Sequence, residues 1–589
     1  MTSPLPPYPP LDPTTYDLII IGTGLPSSVL AAAASSSGSS VLHLDPNPFY
    51  GSHFASLSLL DLTSFLQHSN SVSPNSSEAG HDFLLSVDLV NRSLYSSVEI
   101  STFDPEILEE EHSRRFNVDL CGPRVVFCAD ESINLMLKSG SNNYVEFKSV
   151  DASFVGDSSG ELRNVPDSRG AIFKDKSLTL LEKNQLMKFF KLVQTHLVKD
   201  ETAVRVSDED MESPFVEFLS KMRLPPKIKS YISLSFTAFV SQENVLQMIR
   251  LLILVCRIIL YGIAMLDYDQ DNNETCGHVL KTKEGIDRLA LYITSIGRFS
   301  NALGALMYPI YGQGELPQAF CRRAAVKGCI YVLRMPVTAL LLDKASELVV
   351  ETGGYKGVRL ASGQEIFSQK LVLDPCITVG SESLSSLTDQ QKETLRVLVP
   401  KAISNKEKIA RGICIIRGSV KADISNALVV YPPKSKINFE EMLLTAIRVL
   451  QLGSGLAVCP LDMHVLYLST VCDDDDQGKT ALLSAISTLI RPQVLENLQT
   501  DSVAENDTAD AKPVVLWRAL YVQELVKGEF GGSISSTSSP DGNLSYNEIV
   551  ESAVTLYEQL MGNNELFKEE TSQENTTEDN DGDGVELED

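Results

Sequence analysis

The run Ile19-Ile20-Ile21-Gly22-Thr23-Gly24-Leu25-Pro26-Ser27 constrains the fold of this chain more than any other feature. Asp17 to Ile21 is short, apolar and rich in β-branched side chains, the mark of a buried parallel strand. Gly22 and Gly24 permit the tight turn and close backbone approach that a pyrophosphate requires at a helix N-terminus. Pro26 suits the first helical turn, where no amide hydrogen bond is lost. Ser28 to Ala34 continues that helix, Gly38 ends it, and Val41-Leu42-His43-Leu44 reads as the second strand. Asp45 lies about 20 residues beyond the glycines, where βαβ units of this kind place a ribose-binding acid. The third glycine of the pattern is replaced by Ser27, which tolerates close helix–strand packing without favouring it. Two readings stay open: a working dinucleotide site at Gly22, Gly24, Ser27 and Asp45, or a Rossmann-like scaffold with an empty crevice.

Charge and cysteine usage narrow the partners. Fifty basic residues against 77 acidic ones leave a net charge of −27, which argues against nucleic acid or an anionic membrane as the main partner. Ten cysteines are scattered without a CxxC pair, so neither a metal site nor a disulfide framework is expected. Met1 to Thr15 is proline-rich and lacks an apolar signal core, so the expectation is a flexible N-terminus (1–15) on a cytosolic protein.

Along the chain, the first α/β unit runs to about Leu66, and Gln67 to Gly80 reads as a loop. Asn117-Val118-Asp119-Leu120 and Val125 to Cys128 are short elements, and Tyr144 to Lys148 and Ser153 to Val155 alternate like strands. From 176 to 300 the period becomes helical, as in Leu186, Met187, Phe190 and Val193 and again in Phe215, Phe218, Leu219 and Met222. Strands return from Val332 to Asp374, including Leu340 to Leu342 and Leu348 to Val350. The last stretch, 566–589, is expected to be a disordered acidic tail, because Glu569 to Asp589 carry ten carboxylates and almost no apolar side chain. Its calcium-loop look-alike, Asp579 to Gly584, lacks the glutamate at loop position twelve and is rejected.

A second segment, Tyr308-Pro309-Ile310-Tyr311-Gly312-Gln313-Gly314-Glu315-Leu316-Pro317-Gln318-Ala319-Phe320-Cys321-Arg322, reads as a turn entering a helix, with an acid and a proline at its start. Glu315 and Arg322 stand two helical turns apart, roughly 10 Å along one face. On spacing alone the preferred reading is the bland one, a capped core helix with a solvated arginine.

Taken together, these segments resemble the Rab GDI/Rab escort family. The resemblance rests on Ile21 to Leu25, Val41 to Gly51, Asn117 to Leu120, Leu291-Tyr292 with Gly297-Arg298-Phe299, and Tyr308 to Arg322, in the right order over most of the first 335 residues. It implies an α/β fold: a Rossmann-like, FAD/NAD(P)-binding-type domain I with mixed sheets (16–175 and 301–565) and an inserted all-helical domain II (176–300). It further implies no catalytic residues, no cofactor and no metal, with the geranylgeranyl lipid carried only as part of a client. The implied partners are GDP-form Rab GTPases, the α/β heterodimer of Rab geranylgeranyltransferase, and membranes visited transiently.

The family's GTPase platform maps onto Tyr50, Glu315 and Arg322, with its methionine position at Val332 in this chain. Phe190 and Arg205 are the candidates for docking the transferase. Escort proteins are favoured over GDIs by chain length and by Gly51-Ser52-His53-Phe54-Ala55-Ser56, which lacks the Gly-Gly-Glu of GDIs. Leu516-Trp517-Arg518-Ala519-Leu520-Tyr521 and Thr555-Leu556-Tyr557 add to this, since they resemble the escort C-terminal extension; a lone tryptophan in an apolar run is equally a core residue. The alternatives are a GDI that recycles prenylated Rabs, and a flavin- or nicotinamide-dependent oxidoreductase. The last has Gly22, Gly24 and Asp45 in its favour and Ser27 against it.

Residues 235–260 depart from the family pattern, which passes almost directly from a Tyr-Ile pair (Tyr231-Ile232) to Ile-Ala-Met (Ile263-Ala264-Met265). Arg250 and Arg257 interrupt the apolar run from Leu251 to Tyr261, leaving it short of the roughly 20 apolar residues a membrane span needs. It reads as an extended helix, a membrane-touching element or translated intron.

Overall fold

The computed structural model describes residues 9–67, 84–156, 161–166, 180–197, 206–221, 256–270, 279–343, 354–380, 387–398, 408–437, 441–491, 512–562 and 566–567. The opening unit forms as its residues dictate. Strand β1 (Thr15–Ile21) runs parallel to β2 (Val41–Asp45), and helix α1 (Leu25–Ser36) crosses between them. Gly22 takes φ +93°, and Gly38, at φ +90°, follows the helix end. Alanines 31 to 34 are fully buried, so their small side chains let other helices pack closely on α1.

Those neighbours are α2 (Glu315–Val326) and α3 (Asn547–Met561), which flank α1. In the sheet beneath, β3 (Ile330–Leu333) pairs with β2, and β4 (Glu365–Leu373) pairs with the other edge of β1, all in parallel. Beyond β4 the order turns antiparallel through Tyr355–Leu360, Val337–Asp343, Leu84–Asn91 and Ile377–Val379, making a ten-stranded mixed sheet. The mixed α/β class matches the sequence expectation.

A second, eight-stranded sheet contains β5 (Lys408–Arg417) and β6 (Val514–Glu524), which pair along their whole lengths. β6 lies between β5 and Tyr95–Thr102, so the segment expected to be a C-terminal extension is an interior strand. Trp517 is fully buried there, and Tyr557 is buried on α3. Buried arginines tie the loop between them to the rest of the molecule. Arg411 donates to the carbonyls of Cys121, Gly122 and Asp541 at 2.8–2.9 Å, and Arg124 to those of Ser545 and Asp541 at 2.7 and 2.9 Å. A buried guanidinium spread over several carbonyls meets the hydrogen-bonding demand that burial imposes.

Within 176–300 the described elements are helical: Leu180–Leu197, Asp208–Glu212, Phe215–Lys221, a π-helical turn Ile258–Ile263 and Thr282–Ser295. Phe189, Phe215, Phe218 and Leu289 share one apolar core with Ile413, Trp517 and Tyr521 of the second sheet. The larger part of the atypical apolar segment, 235–255, lies outside the described residues, as do Met222, Leu348 to Val350, most of the 67–80 loop and the 568–589 tail. The described end of the segment, Ile258 to Tyr261, is core. Gly262 is required next, because a Cβ there would come within 2.7 Å of Val165 and 2.9 Å of Val155.

One strand expectation is corrected. Tyr144 is not in a strand: Gly140, at φ +74°, ends helix Glu131–Ser139 and starts a 3-10 turn over Ser141–Tyr144, so the strand begins only at Phe147. Among the described residues no helix is long and apolar enough to cross a membrane.

Candidate functional site

Two regions meet at the C-terminal ends of β1 and β2: the crevice that a dinucleotide would use, and a face built on α2. In the crevice every polar group suggested by the sequence has been turned inward. Asp45 accepts the Thr23 amide and hydroxyl on one oxygen, at 2.7 and 2.6 Å, and the Asn47 amide on the other at 2.8 Å. Burial pushes its carboxyl up to about 6 against those bonds. Ser27 is buried in α1, its hydroxyl without a partner among the described residues. His43 donates to the Gly22 carbonyl at 2.8 Å, and burial lowers its imidazole to about 4.

Where a pyrophosphate would approach, the chain has placed its own side chains. A Cβ on Gly22 would lie 2.6 Å from a carboxylate oxygen of Asp374, and one on Gly24 would lie 3.5 Å from the ring of Phe54, which covers the N-terminus of α1. Asp374 accepts Ser52 Oγ at 2.6 Å, His53 Nε2 at 3.1 Å and the Cys376 amide at 3.1 Å. The remaining cavity, about 240 Å³ and lined by Gly22, Asp45, His53, Arg92, Tyr95 and Asp374, is smaller than the roughly 300–1,000 Å³ of small-molecule sites. A buried anion against Gly22 and an aromatic ring over the helix terminus do not fit a dinucleotide diphosphate.

His53, Asp374 and Cys376 bring three potential metal-ligating atoms within 4.8 Å of one another. The imidazole is spent on Asp374 at one nitrogen and on the Tyr95 hydroxyl, 2.9 Å away, at the other. Burial and the neighbouring Asp374 raise the Cys376 thiol well above its ordinary range. For Asp374 burial works upward, yet facing His53 and the bonds from His53, Cys376 and Ser52 hold it at about 2. A carboxyl depressed in the folded state stabilises the fold above its ordinary value near 4, and that contribution is lost as pH falls through 2. Asp374→Asn is therefore expected to be less stable than the wild type at pH 7, with the two converging as the pH is lowered toward 2. Denaturant titrations across that range check it; a gap independent of pH would contradict it.

The second region collects the candidate GTPase-binding residues. α2 begins at Glu315 after Gly314, as the turn-plus-proline pattern leads one to expect. Glu315 is half-buried and accepts the Gln318 side chain at 3.3 Å; burial raises its carboxyl while Arg322, on the same face, pulls it down. Arg322 is exposed, its guanidinium 6.0 Å from the centre of the Tyr144 ring. Tyr50 is half-buried with its ring edge-on to Tyr331 at 5.9 Å, next to Val332, which pairs with Leu44 and is half-buried. Burial raises the Tyr50 hydroxyl, with Cys321, the neighbour of Arg322, close enough to add to the shift.

Tyr50 and the helix carrying Glu315 and Arg322 thus meet around Tyr331 and Cys321, whereas Val332, one residue on in the strand, faces the other side of the sheet and packs with Ile19, Ile21, Leu42 and Leu44, so the structure does not bring it to this face. Tyr144 and Tyr331 were not singled out in the sequence; they carry no motif and acquire their places only through the 3-10 turn and the β2–β3 pairing. Phe190 is elsewhere, half-buried on helix Leu180–Leu197 with its ring 6.2 Å from Phe189. Arg205 lies outside the described residues.

Comparison with known proteins identifies the family. The family model described as GDP dissociation inhibitor matches residues 12–103, 92–273 and 277–480. The chain is 77% identical to Rab escort protein 1 of Arabidopsis thaliana, over 99% of this chain and 100% of that protein. It is 32% identical to the Rab proteins geranylgeranyltransferase component A of Drosophila melanogaster, over 62% of this chain and 63% of that one. Among solved structures, a Rab GDI from Plasmodium falciparum superposes with a TM-score of 0.58 at 17% identity, covering 92% of this chain and 98% of the other, which establishes likeness of fold.

Proposed function

This chain belongs to the GDP dissociation inhibitor family, and from that premise we propose that it is an escort-type member, a non-catalytic accessory of Rab geranylgeranyltransferase. It binds GDP-bound, unprenylated Rab GTPases through the face around Tyr50, Glu315 and Arg322. It presents their C-terminal cysteines to the transferase α/β heterodimer, then shields the attached lipids until delivery to a membrane. The observation that carries this reading is the 77% identity, along the whole chain, to a protein named Rab escort protein 1.

The physical need for such a carrier is plain. At about 0.8 kcal/mol per buried CH₂, a twenty-carbon chain left in water costs on the order of 10 kcal/mol. No covalent step falls to this protein. The crevice is read as vestigial, with neither flavin nor nicotinamide, because Asp374 and Phe54 stand where a diphosphate would lie and Asp45 is spent on Thr23 and Asn47.

Reconstituted prenylation tests the reading. Purified chain, GDP-loaded unprenylated Rab, transferase heterodimer and geranylgeranyl diphosphate are combined, with and without the chain. Lipid transfer that requires the chain is the expected result. Extraction of already prenylated Rab from membranes without any support of transfer would instead make it a GDI. Visible flavin absorbance in the purified protein would reopen the oxidoreductase reading.

A further inference from the structure

Asp119 belongs to a short motif, Asn117 to Leu120, that the crevice and the exposed face leave unexplained. Its carboxylate is fully buried, directly beneath the turn that starts α2. One oxygen accepts the Gln313 amide at 2.9 Å and the Ser56 hydroxyl at 2.6 Å, and the other accepts the Tyr308 hydroxyl. The Ser56 oxygen in turn accepts the Gly314 amide at 2.8 Å. Two successive donors at the entry to α2 are thereby held by Asp119 and Ser56, which also face each other in the strand pair Ser56–Leu57 and Val118–Asp119. The fit is close. A Cβ on Gly312, at φ +105°, would stand 2.4 Å from Ser56 Oγ and 2.8 Å from Asp119 Oδ1, and one on Gly314 would stand 2.7 Å from the Ser56 amide.

Ser56 lies six residues after Tyr50, and the stretch between is tied down: Gly51 donates to Thr23 Oγ1 at 2.9 Å and Phe54 to the Gly51 carbonyl at 2.7 Å. Glu315 lies one residue after Gly314. Asp119 and Ser56 are therefore the joint at which the Tyr50 segment meets the helix carrying Glu315 and Arg322. Burying a carboxylate is costly unless its oxygens are hydrogen-bonded. Here those bonds go to the two segments whose relative placement a partner would read.

We infer that Asp119, acting through Ser56, is a positioning residue that sets the register between Tyr50 and the Glu315–Arg322 face and thereby the affinity for the GTPase. The inference rests on the Rab-binding reading above. A hot-spot constellation works only when its members are held in place before the partner arrives, because ordering them on binding subtracts from affinity.

Steady-state transfer assays on Ser56→Ala, Asp119→Ala and Asp119→Asn decide it. Ser56→Ala and Asp119→Ala are expected to raise KM for the Rab about five- to tenfold, the scale of one lost buried hydrogen bond, with kcat at saturating Rab unchanged. Asp119→Asn keeps an acceptor oxygen for Gln313 and Ser56 and is expected to stay within about threefold of wild type. Combining Ser56→Ala with Arg322→Ala should raise KM by less than the product of the single effects, since both act on one contact. Unchanged KM in folded Ser56→Ala, kcat falling in step with the folded fraction, or effects that simply multiply would each overturn the inference. Should Asp119→Ala fail to fold, Ser56→Ala, which removes one hydroxyl from a half-buried residue, carries the test. A wild type that binds Rab but supports no transfer leaves the same comparison to be made on Kd. A wild type that does not bind Rab at all defeats the functional reading and this inference with it.

Discussion

Arg322→Ala is expected to weaken binding of GDP-loaded Rab about 10- to 100-fold, with a matching rise in KM for prenylation. The side chain is exposed at the middle of α2, and its guanidinium makes no hydrogen bond among the described residues; Tyr144 stacks near it and Glu315 shares its face. Its donors can be presented as a planar fork to an acidic or carbonyl-rich partner surface, and charge-assisted bonds of this kind are worth about 1.5–3 kcal/mol. Arg322→Lys should recover only part of the loss, since an ammonium cannot reproduce the fork. Stability should change by less than about 0.5 kcal/mol in both variants, because nothing buried depends on the side chain. Titration calorimetry with a GDP-loaded Rab measures the effect. Unaltered affinity in a folded Arg322→Ala variant would move the GTPase contact off this face.

A second large effect is expected in the second sheet. Trp517→Ala should cost about 3–5 kcal/mol of stability, the range for deleting a fully buried aromatic from a core. Trp517 lies on β6, opposite Ile415 on one neighbour and Thr102 on the other. Its indole nitrogen has no partner among the described residues, so packing carries its whole contribution, and Trp517→Phe should cost less. It is the single tryptophan of the chain, so circular dichroism rather than fluorescence must follow the unfolding. A chain ending at Pro513 should fare worse still, since β5 and Tyr95–Thr102 would lose the strand that joins them. A soluble truncated protein with native circular dichroism would show that β6 is dispensable.

These two expectations differ in how far the sequence anticipated them. Glu315 and Arg322 fall on one face because they are seven residues apart on a helix whose start is marked by Gly314 and Pro317, all of it local information. Trp517 was legible as a core residue from its apolar neighbours, but nothing local says which strands its segment joins. The displaced strand at Tyr144 has a local cause: Gly140 ends one helix and starts a 3-10 turn.

By itself the sequence determined the β1–α1–β2 unit, the helix behind Glu315, the helical character of the described elements within 176–300 and the family to which the chain belongs. All of these depend on turn chemistry and side-chain periodicity within about a dozen residues, or on motif order. Only the tertiary structure decided the state of the crevice and the origin of the exposed face. Asp374 reaches Gly22 from 352 positions away, because β4 pairs with β1 in parallel and delivers its C-terminal acid to the same end of the sheet. Asp45 satisfies its own neighbours, and Asp119 joins Ser56 to Gln313 across three separate stretches of chain. Such partners are fixed by strand order and by the need of buried polar groups to be hydrogen-bonded, and neither leaves a periodic trace in the sequence around them.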